Sequence, residues 1–219
     1  MKKVFDKIQF NPLFSGIGLD DFEAMLHCVE GRVQAYKKGA MIQHAGNPVK
    51  TVGLVISGTV QVIREDGDGK QNLMAELHEG ELFGEVFACA GISHSPVMVL
   101  ASEPLVEVLH LNYRKVITAC SSACSFHQKL IENMLALVAR KNLLLNQKID
   151  ILSKRTTRER LLLFFEYHRQ GARKFTISFS REALAAYLCV ERSAMSAELS
   201  KMQREGLIQY DRNSFEIMG

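Results

Sequence analysis

Ser125–Leu152, SFHQKLIENMLALVARKNLLLNQKIDIL, decides how the rest of the chain is read. Ile131, Leu135, Val138, Leu145, Ile149 and Leu152 fall at steps of four and three, and Asn142 fills the one skipped position. That is a heptad seam, the spacing with which two helices pack knobs into holes. A polar Asn on such a seam costs stability and fixes register and oligomer state. The stretch therefore predicts a dimer helix. An amphipathic helix buried within its own monomer is the alternative. Leu130, Met134, Leu137, Leu143 and Leu144 widen the apolar stripe, so the helix is also expected to pack on its own chain.

Charge divides unevenly about this helix. Residues 1–152 hold 15 Lys and Arg against 16 Asp and Glu, and residues 153–219 hold 12 against 8, a net −1 followed by +4. The C-terminal third is the natural place to meet a polyanion, with a solvated basic face as the plainer alternative. The 219 residues, 47% hydrophobic and 23% charged, suffice for one large or two small domains. The apolar runs stop short of membrane-spanning length, and Met1-Lys2-Lys3 is followed by no apolar leader. A cytoplasmic protein without a membrane partner is expected. There, five cysteines are free thiols, ligands or redox sensors rather than a disulfide framework.

Upstream, Asn11-Pro12-Leu13-Phe14 opens a turn, and Asp20 or Asp21 is expected to cap a helix through Phe22, Met25, Leu26 and Val29. From Gly31 onward short β-rich runs alternate with glycines: Arg32–Tyr36, Met41-Ile42, Thr51–Ile56, Thr59–Arg64, Asn72–Leu77, Val97–Ala101 and Leu105–Leu111. Strands of that length with regular turn signals predict a β-barrel or roll. Gly80-Glu81-Leu82-Phe83-Gly84-Glu85 then leads into a short helix at Val86–Ala90. Such a turn either cradles an anion on its amides or is a plain tight turn.

Downstream, Ser153-Lys154-Arg155-Thr156-Thr157 is a polar break that reads as a hinge. Thr157 is expected to cap a helix over Arg158–Arg169 that ends at Gly171, with a short strand at Phe175–Phe179. Ser180 caps a helix over Arg181–Leu188. Leu184, Leu188, Val190 and Met195 take the core positions of a helix-turn-helix. Ala185 is the small contact residue, and Cys189 stands in the turn where positive φ is easiest. Glu198 stands where an apolar residue is common, and Leu199 beside it serves instead. The second helix, Arg192 to Glu205, is closed by Gly206, and Leu207–Tyr210 with Phe215–Ile217 form a β-wing. The N-terminal end of such a helix enters the major groove, so Arg192, Ser193 and Ser196 are expected to face base edges. Ser180, Arg181 and Lys201 are assigned to phosphates.

The spacing of Lys38-Gly39, Ala45-Gly46, Ile56-Ser57-Gly58-Thr59-Val60, Gly69 and Gly80–Glu85, followed by the seam and the helix-turn-helix, resembles the CRP/FNR transcription regulators over essentially the whole chain. The resemblance implies an α+β fold: an N-terminal β-roll (a cyclic-nucleotide-binding-like jelly roll) over 1–122, a dimerisation helix over 123–152, and a winged helix-turn-helix over 153–219. It implies a homodimer on a near-palindromic operator in double-stranded DNA, with RNA polymerase as a further partner. It also implies an effector pocket at Phe83, Gly84, Glu85, His94 and Ser95.

That pocket departs from the family pattern. Members that bind cyclic AMP carry an Arg followed by Ser or Thr to hold the phosphate, whereas the aligned positions here read Ser95-Pro96 after His94. No Arg occurs between Arg64 and Arg114. A buried phosphate without a cation is poorly compensated, and Pro96 lacks a backbone N–H. Tight cyclic AMP binding is therefore not expected. In the recognition helix, Ser193 and Ala197 stand where members often carry Glu and Arg.

Cys120, Cys124 and His127 are spaced to share a helical face, and Cys89 is expected near them because members pack that segment on the long helix. Three Cys and a His make a ligand set for zinc, and cysteines or histidine also hold iron–sulfur clusters or haem. The alternative is a set of small buried residues packed in a core. Cys28 and Cys189 show no partner in the sequence and read as structural. The N-terminal cysteine cluster of the oxygen-sensing branch is absent from this sequence. A rival function is a metal- or ligand-sensing module that acts on a protein partner. Nothing marks an enzyme: the sequence has no Walker loop, no His-Glu-x-x-His and no nucleophile–base set at recognisable spacing.

Overall fold

The computed structural model describes residues 2–118 and 124–218, and the chain divides into two compact units, Met1–Ala139 and Arg140–Gly219. In the first unit, α1 (Lys2–Ile8), a 3₁₀ turn (Pro12–Phe14) and α2 (Leu19–Cys28) precede the strands β1 (Arg32–Lys37), β2 (Met41–Gln43), β3 (Thr51–Ser57), β4 (Val60–Glu65), β5 (Gln71–Leu77) and β6 (Leu82–Phe83). Then come α3 (Glu85–Cys89), β7 (Met98–Ala101), β8 (Leu105–Asn112) and α4 (Tyr113–Ile117). The long helix α5 (Ser125–Ser153) follows. It contains no Gly or Pro and is rich in the strong helix formers Leu and Lys.

Two four-stranded antiparallel sheets, ordered β1-β8-β3-β6 and β2-β7-β4-β5, make the β-roll. β3 and β8 are buried on both faces, which explains their near-continuous apolar texture. Val52, Leu54 and Ile56 of β3, with Leu109 and Leu111 of β8, join Phe14, Phe22, Met25 and Leu130 in one core. The alternate residues Val55, Val106 and Val108 join Val60, Val99 and Phe83 in a second core. Gly53 is required there: a β-carbon on it would stand 2.0 Å from Cζ of the Phe83 ring.

Several expected boundaries move. Gly18, not Asp20 or Asp21, is the N-cap of α2, and both aspartates sit in its first turn, where they favour the positive end of the helix dipole. α3 begins at Glu85, one residue early. α1, β6 and α4 carry too few residues to show a period in sequence.

The second unit holds the C-terminal part of α5, then α6 (Thr157–Arg169), β9 (Lys174–Thr176), α7 (Arg181–Leu188), α8 (Arg192–Arg204), β10 (Ile208–Asp211) and β11 (Ser214–Ile217). Its core gathers Phe164, Phe165, Leu184, Leu188, Met195, Leu199, Met202 and Phe215, with Ile151 from α5. Thr156, not Thr157, caps α6, through a reciprocal capping box with Glu159. The expected strand at Phe175–Phe179 is shorter, Lys174–Thr176, and pairs with β11 in the sheet order β10-β11-β9. Among the described residues no helix is long and apolar enough to cross a membrane.

Candidate functional site

The turn between α7 and α8 folds as its sequence demands. The Ser180 hydroxyl accepts from the Ala183 amide at 3.1 Å and starts α7. Cys189 closes it in the left-handed region, φ 52°, and the Val190 amide donates to the Ala185 carbonyl at 3.0 Å. That conformation costs an L-residue roughly 1–2 kcal/mol, and glycine gives back roughly 0.5–1 kcal/mol in backbone entropy. The Cys189 side chain is exposed, so its removal forfeits no packing. Cys189→Gly is expected to raise the thermal midpoint by a few degrees; a lower midpoint in a melting comparison would contradict this.

α8 buries Met195, Leu199 and Met202 and turns Arg192, Ser193, Ala197, Ser200 and Lys201 outward, with Ser196 half-exposed. Arg192 lies at the first position of the helix. Its guanidinium is 3.0 Å from Glu182, and both side chains are about two-thirds exposed (64% and 65%). An ion pair that open contributes little and leaves Arg192 free to be redeployed. Ser200, unremarked in the sequence, donates to the Ser196 carbonyl at 3.0 Å and shares the outward face. Its spacing of four from Ser196 was the signal for it.

The structure gives Arg181 a specific place. Its guanidinium donates to the Arg212 carbonyl at 2.6 Å and lies over the rings of Tyr210 and Phe215, at 5.1 and 5.2 Å. It therefore holds the wing to α7. Ser180 and Lys201 are exposed. Glu198 is explained by Arg158, whose Nε lies 2.5 Å from it while Nη1 lies 2.6 Å from Glu205. The guanidinium holds the Glu205 carboxyl below the usual range. Arg160 donates to the carbonyls of Lys154 and Leu188 at 3.0 Å each, joining the expected hinge segment to the end of α7.

On α5 the stripe separates. In the first unit Leu130 and Met134 are buried in the chain's own core, with Leu137 packed against it. The seam residues behave differently: Leu135, Leu145 and Ile149 are 64%, 60% and 65% exposed, and Ile131, Val138 and Leu152 are half-exposed. Asn142 is exposed and accepts from Asn146 at 2.8 Å. Leu143 and Leu144 were expected to pack on the same chain and do not; both stand exposed. They occupy the part of α5 where the apolar partners of its own unit are at Ile151.

The expected effector residues sit as follows. Gly84 caps α3 with φ 79°, and a β-carbon there would stand 3.2 Å from the Thr51 carbonyl oxygen. Phe83 is buried between the sheets, and Glu85 is 3% exposed. The Ser95 hydroxyl is buried and committed: it donates to the Val97 carbonyl at 2.7 Å and accepts from the Val97 amide at 3.3 Å. His94 is exposed, with Nδ1 3.0 Å from the Ser93 hydroxyl. Between the sheets, Tyr36 Oη and His110 Nε2 lie 2.9 Å apart, and burial pushes the His110 imidazole below its ordinary range. Both were missed in the sequence, because strand alternation alone does not distinguish a polar pair from a packed one.

Of the cysteine–histidine set, the described members Cys89, Cys124 and His127 do not gather into a ligand group. Cys120 lies outside the described residues, and Cys124 precedes α5 rather than lying on it. His127 spends both nitrogens: Nε2 is 2.9 Å from the Val116 carbonyl and Nδ1 is 3.8 Å from Cys28 Sγ. Nε2 therefore carries the proton, and Nδ1 accepts from the Cys28 thiol. Cys28 thus has a partner that sequence did not reveal. Cys89 is exposed, and burial, with the neighbouring Cys89 thiol, raises the Tyr113 phenol. Among the described residues, no group of three or more Cys, His, Asp or Glu is placed to hold a metal.

Comparison with known proteins matches residues 33–123 to the cyclic nucleotide-binding domain and residues 159–218 to the Crp-like helix-turn-helix domain. The cyclic AMP receptor protein of Thermus thermophilus is 24% identical over 209 residues, 94% of this chain and 92% of that one. The crystal structure of Thermus thermophilus catabolite activator protein superposes with a TM-score of 0.53 at 26% identity, covering 94% of this chain and 93% of that one. DNR from Pseudomonas aeruginosa shares the fold at TM-score 0.54 and 16% identity, over 100% of this chain and 95% of that one.

Proposed function

The chain belongs to the CRP/FNR family of DNA-binding transcription regulators, and from that premise we propose that it acts as a homodimer on a near-palindromic operator. The observation that carries this is the bare row Leu135, Leu145 and Ile149 on a helix whose other face is buried in its own chain. A two-fold along that row repeats the outward face of α8, so two recognition helices meet successive major grooves. Arg192, Ser193 and Ser196 read base edges, and Ser180 and Lys201 hold phosphates. Arg181 serves chiefly to hold the wing. Residues 1–122 sense, 123–152 dimerise and 153–219 read DNA, with Ser153–Thr157 as the hinge across which an effector shifts the population of reading-head orientations. Contact with RNA polymerase and a cytoplasmic location follow from the family resemblance.

The effector is a small molecule other than cyclic AMP. The residues present do not fit a cyclic phosphate: Ser95 is committed to Val97, no Arg lies between Arg64 and Arg114, and His110 is held towards its neutral form. No arginine of the segment that holds Ser95 stands there to repay the desolvation of an anion.

One titration tests this reading. Operators are selected from randomised duplexes, and affinity is followed against salt with and without cyclic AMP. Steep loss of affinity with salt and no response to cyclic AMP are expected. A flat salt response would favour a protein partner instead. Tightening of operator binding by micromolar cyclic AMP would overturn the effector reading.

A further inference from the structure

A cavity of about 560 Å³ lies outside the inter-sheet space, bounded by the chain before β3, the loop after α3, and α4. Its volume is in the range of small-molecule sites. Val49 and Tyr113 pack against the core behind it, Ala88 is buried, and Ile92 and Ile117 stand 42% and 49% exposed as apolar walls. The walls are tied to one another by backbone: the Val49 amide donates to the Ser93 carbonyl at 3.1 Å, and the Tyr113 amide to the Lys50 carbonyl at 3.1 Å. These bonds fix the backbone of the walls before any ligand arrives, so the ordering that remains on binding is that of side chains such as Lys50 and Arg114.

Among the described residues two cations, Lys50 and Arg114, line the cavity, and no carboxylate does. Among the described residues neither makes an ion pair, although Lys7, Lys115, Lys154 and Arg169 all do. Asn112 and Ser93 line the same wall with their side chains engaged, Asn112 donating to Glu30 at 2.8 Å and accepting from the Lys115 amide at 3.3 Å and the Ser93 hydroxyl 3.0 Å from His94 Nδ1, so the two cations carry the recognition of charge. A ligand that fits has an apolar body for the Ile92–Ile117 side and an acidic group for Lys50 and Arg114. Placing the charge at two exposed side chains avoids the desolvation that a phosphate would suffer between the sheets.

We propose that this cavity is a binding site for an amphiphilic organic acid, an aromatic or aliphatic carboxylate, distinct from the pocket between the sheets. The site rests on its own geometry and not on the DNA-binding reading, so it is tested without DNA. The probes are 2-naphthoate and its uncharged methyl ketone, titrated into the full-length protein by calorimetry and followed by amide NMR shifts. Saturable naphthoate binding is expected, with shifts centred on Ala88, Ile92 and Ile117 and the ketone weaker by about tenfold. The Lys50→Gln/Arg114→Gln protein should lose that preference and bind both probes alike, while Lys50→Arg/Arg114→Lys keeps it. Ile117→Asp should weaken both probes. These positions are exposed, and unchanged melting checks that the variants fold. The proposal is overturned if naphthoate does not saturate, if acid and ketone bind the wild type equally, if the Gln variant keeps the preference, or if the shifts map to Tyr36, Phe83 and His110.

Discussion

Leu145→Glu should convert the protein to a monomer and remove tight operator binding. Leu145 is 60% exposed within one chain and stands on the same line as Leu135 and Ile149. Burying a leucine contributes roughly 1.5–3 kcal/mol, and a two-fold interface counts the residue twice. Losing both raises the dimer dissociation constant by roughly 10²–10⁴-fold, before the cost of facing two carboxylates across the seam. Operator affinity falls with it, because a monomer holds one half-site. Ala136→Glu is the control. It adds the same charge at an exposed position about 140° round the helix from the seam and should leave the dimer intact. Asn142→Leu should tighten the dimer, since it removes the polar break in the seam. Sedimentation and operator titration on the same samples decide the matter: a Leu145→Glu dimer with unchanged operator affinity would end the seam reading.

Arg192→Ala should weaken specific binding by roughly 30-fold or more while leaving binding to random DNA almost unchanged. A bidentate arginine–guanine contact is worth about 1–3 kcal/mol, and the dimer makes it at each half-site. Its exposed pair with Glu182 offers little resistance to the exchange. Lys201→Ala makes the contrast. As a phosphate contact it should weaken all sequences alike and lower the magnitude of the salt slope by about 1 per half-site. Equal losses on operator and random DNA in the Arg192 variant would move that residue from base reading to the backbone.

Local patterns carried most of the fold. The step-four, step-three rhythm of α5, the two-residue alternation of the strands and the Ser180 cap each depend on neighbours within one turn or one strand, so they are written in adjacent residues. The left-handed turn at Cys189 was legible for the same reason, φ 52° being dictated by the short link between two helices. Short elements such as β6 and α4 were not, because two to five residues span hardly more than one period and show no repeat.

The candidate site was legible only in outline. Arg192, Ser193 and Ser196 were found from position along a helix, and they do lie on or beside its outward face. What a side chain touches was another matter. Glu198 looked misplaced until Arg158, forty residues upstream, came against it at 2.5 Å. His127 looked like a metal ligand until Val116 and Cys28 took its two nitrogens.

The sequence by itself determined the family, the order of its parts and the existence of a two-sided apolar stripe on α5, since all three are periodic or spacing properties of the chain. Tertiary structure decided which side of that stripe each unit buries, whether the Ser95 hydroxyl is free, and that Lys50, Ile92 and Arg114 line one cavity. Those outcomes depend on distances of about 3–4 Å between residues tens of positions apart, a precision set by close packing and hydrogen-bond geometry rather than by local spacing.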